Sequence, residues 1–322
     1  MIMSQPFYHL RPNKYVDRHL FVAALERFNV FTMLKGYRYI GFGSYMFDDF
    51  KLIHERLNIS SMVSLEGDPI VCNRAKYNKP YKCIRVINQT STDYIAGDDW
   101  GKKKTIIWLD YTNPKELAQQ FNDVSSLLNL LNTNDIFRVT FNANVSSLGN
   151  PTEREDLHEY RLRILKERIG EYVPVDIKPK DMTKNNYPMV LLKALHKLIG
   201  KSFVETQYDR RFLFPMYSTV YQDGQMMLTF TGIVLDDHKK ERKLRNTFRG
   251  LDFVNFEWDK PSRISIPELT VKEIIEMNKL LPSSIAQEQL RKKFGFVFSE
   301  DSEVESFAAF YKFYPSYQSI NF

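Results

Sequence analysis

Residues 37–68 read Tyr37-Arg38-Tyr39-Ile40-Gly41-Phe42-Gly43-Ser44, then Tyr45-Met46-Phe47-Asp48-Asp49-Phe50-Lys51-Leu52-Ile53-His54-Glu55-Arg56-Leu57, then Asn58-Ile59-Ser60-Ser61-Met62-Val63-Ser64-Leu65-Glu66-Gly67-Asp68. A β-rich apolar run ends in a glycine pair, Gly41 and Gly43. A helix-length segment with Phe47, Phe50, Ile53 and Leu57 on one stripe follows, and a second apolar run stops at Glu66. Strand, glycine turn, helix, strand and acid in that order open a nucleotide-type site on a parallel sheet. Glycines there let a ligand approach the backbone closely. An acid at the end of the second strand can accept from two ribose hydroxyls. Glu66 follows Gly43 by 23 residues, near the roughly 20 such sites use.

Working outward, apolar positions Val16, Leu20, Phe21, Ala24, Leu25 and Phe28 predict a helix over 13–28, with Asn13 as its cap. Downstream, the pattern predicts a helix near 69–77 and a strand over 82–87. A loop over 91–104 has room for a helical turn, and a fourth strand, 105–109, stops at Asp110. A helix opened by Asn113-Pro114 runs to about 131, and a fifth strand covers 136–141. This alternation means a parallel α/β sheet. Residues 151–170 are charged and helical, and 188–199 form an apolar helix. Two strands, 212–221 and 226–235, flank Gln222-Asp223-Gly224-Gln225, a hairpin signal. After 236 come a basic segment, Phe253–Trp258, and a helical tail with Thr270 opening a helix over 271–281. There is no internal repeat and no low-complexity tract.

The chain has 322 residues, 43% of them hydrophobic and 14% aromatic, enough for a large core. No apolar run approaches the roughly 18 residues of a membrane helix. The N-terminus lacks the blocks of a signal peptide. Cys72 and Cys83 are the two cysteines and read as free core thiols, so a cytoplasmic protein is expected. A net charge of +6 is permissive for nucleic acid but comes with no aromatic-basic RNA module. The basic clusters Lys102–Lys104, Lys239–Arg245 and Arg291–Lys293 read as solvated faces. His9, His19, His54, His158, His196 and His238 show no metal-ligand spacing, so no metal is expected.

Five parallel strands followed by an antiparallel hairpin, with Gly41-Phe42-Gly43-Ser44 and Glu66 in place, resemble the class I methyltransferases. These are Rossmann-like enzymes that use S-adenosylmethionine (SAM). The resemblance covers about residues 35–235, with 151–184 as an insertion and 236–322 as a mainly helical extension packed on the domain. It is nearest to a bacterial group described as "putative O-methyltransferases". It lacks the family's acid before the first glycine and its third glycine. The resemblance implies cofactor contacts from Gly41, Gly43, Ser44, Glu66 and Asn88, with Ile70 and Tyr81 flanking the adenine. It places Asp110 as a base or substrate anchor, with Tyr111 beside it. Arg11 or Lys14 of the segment Tyr8–Arg18 would hold a carboxylate. Asp48 and Asp49, at a helix N-terminus, would repel a pyrophosphate. The acceptor is unnamed, the C-terminal extension with its aromatic end Phe307–Phe322 offers a protein-partner surface, and the group suggests a defence role. Two other readings compete. One is a catalytically inactive methyltransferase-like interaction module, which the incomplete glycine motif favours. The other is a nicotinamide oxidoreductase, which requires a sixth parallel strand.

Overall fold

The computed structural model describes residues 11–152, 154–204, 206, 209–267, 269–282, 293–295 and 301–315. Residues 8–10 of the N-terminal segment, Arg291 and Lys292 of the third basic cluster, and 316–322 of the aromatic end lie outside the described residues. The chain divides into two units: Val22–Val220 with Gln225–Ser262, and Met1–Phe21 with Tyr221–Gly224 and Arg263–Phe322.

In the larger unit the parallel strands are β1 (Arg38–Gly41), β2 (Ser61–Leu65), β3 (Ile84–Ile87), β4 (Thr105–Asp110) and β5 (Ile136–Asn142). A hairpin follows, β6 (Phe212–Asp223) and β7 (Gln225–Leu235), turning at Gly224 with φ +98. The sheet order is β3-β2-β1-β4-β5-β7-β6, and β8 (Ser262–Ile264) completes the order beyond β6. β1 to β5 pair in parallel and β7 runs antiparallel to β5. The expected Rossmann-like sheet, five parallel strands and a terminal antiparallel hairpin, is the one observed. The sixth parallel strand of a nicotinamide domain is not: the position beside β5 is taken by an antiparallel strand.

The connecting helices are α1 (Pro12–Phe31), α2 (Asp48–Leu57), α3 (Pro69–Asn78), α4 (Ser91–Gly97), α5 (Leu117–Leu130), α6 (Leu157–Ile169), α7 (Tyr187–Ser202) and α8 (Lys239–Thr247). The segment read as a loop over 91–104 thus contains a full helix, α4. Thr90 caps it by accepting from the Asp93 N–H. Phe253–Trp258 forms neither helix nor strand. Strand periodicity sorts the two sheet faces. Ile40, Ile107, Leu109, Phe137, Val139 and Phe141 join α5, α6 and α7 in one apolar core. The alternate positions Tyr39, Trp108, Arg138, Thr140, Thr229 and Thr231 are also buried but mostly polar. They bond to one another: Trp108 Nε1 donates to Thr140 Oγ1 at 2.9 Å, and Arg138 Nη1 donates to Thr231 at 2.7 Å and Tyr217 at 3.0 Å.

The smaller unit holds α9 (Val271–Asn278) and α10 (Asp301–Phe310). Met277, Val304 and Phe307 form its core. Thr270 and Glu273 make a reciprocal capping box at the start of α9. Asn13 is not the cap of α1 that its position suggested. The backbone N–H groups of Asn13 and Lys14 both donate to the Asp223 carboxylate, at 3.2 and 2.7 Å, so an acid 210 residues away in sequence occupies the helix N-terminus. The Asn13 side chain instead ties Gln222 and Asp223 to the Ile266 N–H.

Candidate functional site

Gly41, Glu66, Asn88 and Asp110 lie at or just past the C-terminal ends of β1, β2, β3 and β4. The registers Gly41↔Ser64 and Leu65↔Ile87 bring the first three to one edge of the sheet. Open parallel sheets bind ligands at that edge. The Glu66 N–H donates to Ile87 O at 3.0 Å. Asn88 Nδ2 donates to the carbonyls of Glu66 at 2.7 Å and Gly67 at 3.3 Å. With both amide hydrogens used, the Asn88 carbonyl is the half of that side chain left to meet a donor.

Glu66 is 9% exposed. Burial pushes its carboxyl up to about 7, although a Ser44 N–H and the Ser64 hydroxyl both favour the ionised form. The nearby Asp49 adds to the rise. Asp49 in turn accepts the Tyr39 hydroxyl. Burial first, then Asp49, holds the Tyr39 phenol well above its ordinary range, so it stays neutral; Asp110 pushes the same way and Arg138 opposes. Asp49 thus bears on both Glu66 and the neutral Tyr39, and Asp110 bears on Tyr39, which gathers three carboxyl groups near the glycine turn.

The turn itself departs from expectation. A Cβ at Gly43 would lie 2.7 Å from the Phe47 ring and 2.8 Å from Ser64 Oγ, and one at Gly41 would lie 2.8 Å from the Tyr39 hydroxyl. The space beside both glycines is filled by the protein's own side chains rather than left for a ligand. Ser44 and Phe47 both adopt left-handed backbone, φ +50 and +55, and the Phe47 N–H closes the turn on Gly43 O at 2.9 Å. Such conformations in residues with side chains persist only where the surroundings enforce them. Here the buried Phe47 ring, packed against Phe50 with centroids 5.6 Å apart, supplies that constraint.

Other expected site residues fall elsewhere. Tyr111 is buried, 8% exposed, and its hydroxyl donates to Asp123 at 2.9 Å. Arg11 and Lys14 belong to the smaller unit, where Lys14 is buried at the start of α1. Tyr81 precedes β3, so it sits at the opposite edge, its ring 4.5 Å from that of His54 and tilted to it, its hydroxyl donating to Glu55 at 2.5 Å. Ile70 is 71% exposed on the first turn of α3, close in sequence to Glu66. Cys72 is buried and Cys83 half-buried, both free. Among the described residues, no group of three or more His, Cys, Asp or Glu is placed to hold a metal ion, and no helix is long and apolar enough to cross a membrane.

Ser64, beside Glu66, and Arg138, in the buried polar face of the sheet, do not stand out from sequence pattern alone, yet each leaves a signal. Ser64 lies two residues before Glu66 in an apolar strand, hence on the same side. Arg138 interrupts the apolar run of β5, where a lone charge asks for a partner.

A family model described as "Putative O-methyltransferase" matches residues 6–322. No curated protein matches the sequence. Among solved structures, one titled a putative methylase from Haemophilus influenzae is 15% identical, TM-score 0.37, covering 68% of this chain and 98% of that one. The N-methyltransferase NodS of Bradyrhizobium japonicum is 8% identical, TM-score 0.37, covering 68% and 97%. A structure titled a putative O-methyltransferase from Klebsiella pneumoniae is 12% identical, TM-score 0.35, covering 72% and 92%. These structural likenesses are distant.

Proposed function

The chain belongs to this methyltransferase family, and from that premise we propose that it transfers the methyl group of SAM to a hydroxyl acceptor at the C-terminal edge of β1–β4. The observation that carries the reading is the set of groups the registers gather there: an under-supplied carboxylate at Glu66, an unengaged carbonyl at Asn88, and Asp110 on the neighbouring strand. Glu66 would accept from the ribose diol, Asn88 from the adenine amino group, and the exposed Ile70 would flank the ring. The site's charge distinguishes cofactors. Asp49, Glu66 and Asp110 make it acidic, which suits a sulfonium cation and repels a pyrophosphate.

Bound SAM supplies an electrophilic methyl on sulfur, so displacement needs chiefly an aligned acceptor. Asp110 would take the acceptor's proton at its carboxylate, as a general base held at a strand end. Tyr39 and Asp49, bonded to one another, wall the turn and keep its charge pattern fixed.

One observation favours a non-catalytic module: the glycine spaces are filled by Tyr39, Phe47 and Ser64. Calorimetric titration of SAM and its demethylated product separates the two. Micromolar binding that is lost in Glu66→Ala supports the enzyme. A folded wild-type protein that binds neither compound sinks it and leaves the module.

A further inference from the structure

Ser64 is fully buried on β2 and its hydroxyl stands between two parts of the proposed cofactor site. Its oxygen accepts the Gly43 N–H at 3.1 Å. Its hydrogen points to Glu66 Oε1 at 3.4 Å, a long contact. A hydroxyl has one hydrogen to give. Once the amide of Gly43 claims a lone pair, that hydrogen is directed to the carboxylate. The same oxygen is 2.8 Å from where a Gly43 Cβ would be, so turn and serine are packed as one piece.

We propose that Ser64 is a positioning residue that locks the glycine turn to Glu66 and keeps Glu66 an ionised acceptor for a vicinal diol, a role that rests on the methyltransferase reading. The groups facing the carboxylate are few. Ser44 donates from the turn, Ser64 from β2, and Asp49 repels from α2. Asn88, after β3, engages the Glu66 main chain and not its side chain. Among the described residues the charged neighbour that acts on Glu66 is an acid, Asp49, so each of the two donors counts. Glu66 already titrates near neutrality, and losing one donor moves the acid further up. Protonation turns one carboxyl oxygen into a donor and leaves a neutral, weaker acceptor for a ribose diol.

The experiment follows the Glu66 side-chain carbon by NMR in 13C-glutamate-labelled, ligand-free protein, with Glu66→Gln assigning the signal, and then measures SAM affinity against pH. In Ser64→Ala the midpoint should rise by about one pH unit, and affinity at pH 6 should fall about tenfold, closing on wild type by pH 9. Ser64→Thr retains the hydroxyl and should keep the wild-type profile. An unchanged or lowered midpoint in Ser64→Ala overturns the proposal, as does a Thr profile displaced like the Ala one. If wild-type protein binds no SAM, the methyltransferase reading falls, while the ligand-free titration still decides whether Ser64 controls Glu66.

Discussion

Glu66 and Asp135 are two buried carboxylates at opposite edges of one sheet, and their surroundings differ. Asp135, 1% exposed just before β5, accepts the Thr105 N–H and the Asn132 N–H, each at 2.7 Å. Burial pushes it up to about 6, against those two amides and the charges of Lys104 and Arg38. Glu66 has one amide and one distant hydroxyl, and its charged neighbour is an acid; it rises to about 7. Both oxygens of Asp135 are spent on main chain that joins β4 to the turn before β5, so it is a clamp. Glu66 is short of donors, which is what a group waiting for ligand hydroxyls looks like.

Removing the clamp should have the largest effect. Asp135→Ala orphans two buried N–H groups and should cost about 3 kcal/mol, read as a shifted urea midpoint, without altering SAM affinity at the far edge. An equal loss of SAM affinity would break the contrast. Glu66→Gln should do the opposite. Its folded value of about 7 exceeds the ordinary 4.5. The stability it contributes is therefore present below about 4.5 and lost as pH rises through about 7. Asp135 behaves likewise between 3.8 and about 6. Glu66→Gln should thus stabilise the protein at pH 8, by up to the order of 3 kcal/mol, while weakening SAM binding. Thermal melts at pH 5 and pH 8 check this: no gain at pH 8 would mean Glu66 is better supplied than the geometry shows.

Gly43→Ala drives a methyl into the Phe47 ring and Ser64, and should cost about 2 kcal/mol, with the Glu66 titration disturbed as well. A silent variant would show that the turn yields. Tyr111→Phe should be the smallest change, about 1 kcal/mol from the lost bond to Asp123, with SAM affinity intact. A selective loss of activity there would return Tyr111 to the substrate.

The part of the candidate site legible in sequence is its local part. Gly41, Glu66, Asn88 and Asp110 were visible because each marks where an apolar run stops, and runs are set by period-2 and period-3.6 burial. A glycine pair in a strand–helix turn reads the same in sequence whether a ligand or Phe47 fills the space beside it. Tyr111 follows Asp110 in sequence, but one step along a strand reverses the face, and its hydroxyl goes to Asp123.

What the sequence by itself determined is the alternation of strands and helices, the hairpin at Asp223-Gly224 and the acid at the end of β2, since these depend on neighbours along the chain. Only the tertiary structure decided that Ser64 joins Gly43 to Glu66, that Asp49 takes the Tyr39 hydroxyl, that Arg138 donates to Thr231 and Tyr217, and that Asp223 caps α1. Each of those contacts joins different elements or positions that register brings together, and hydrogen-bond geometry at about 3 Å is settled only once the strands have paired.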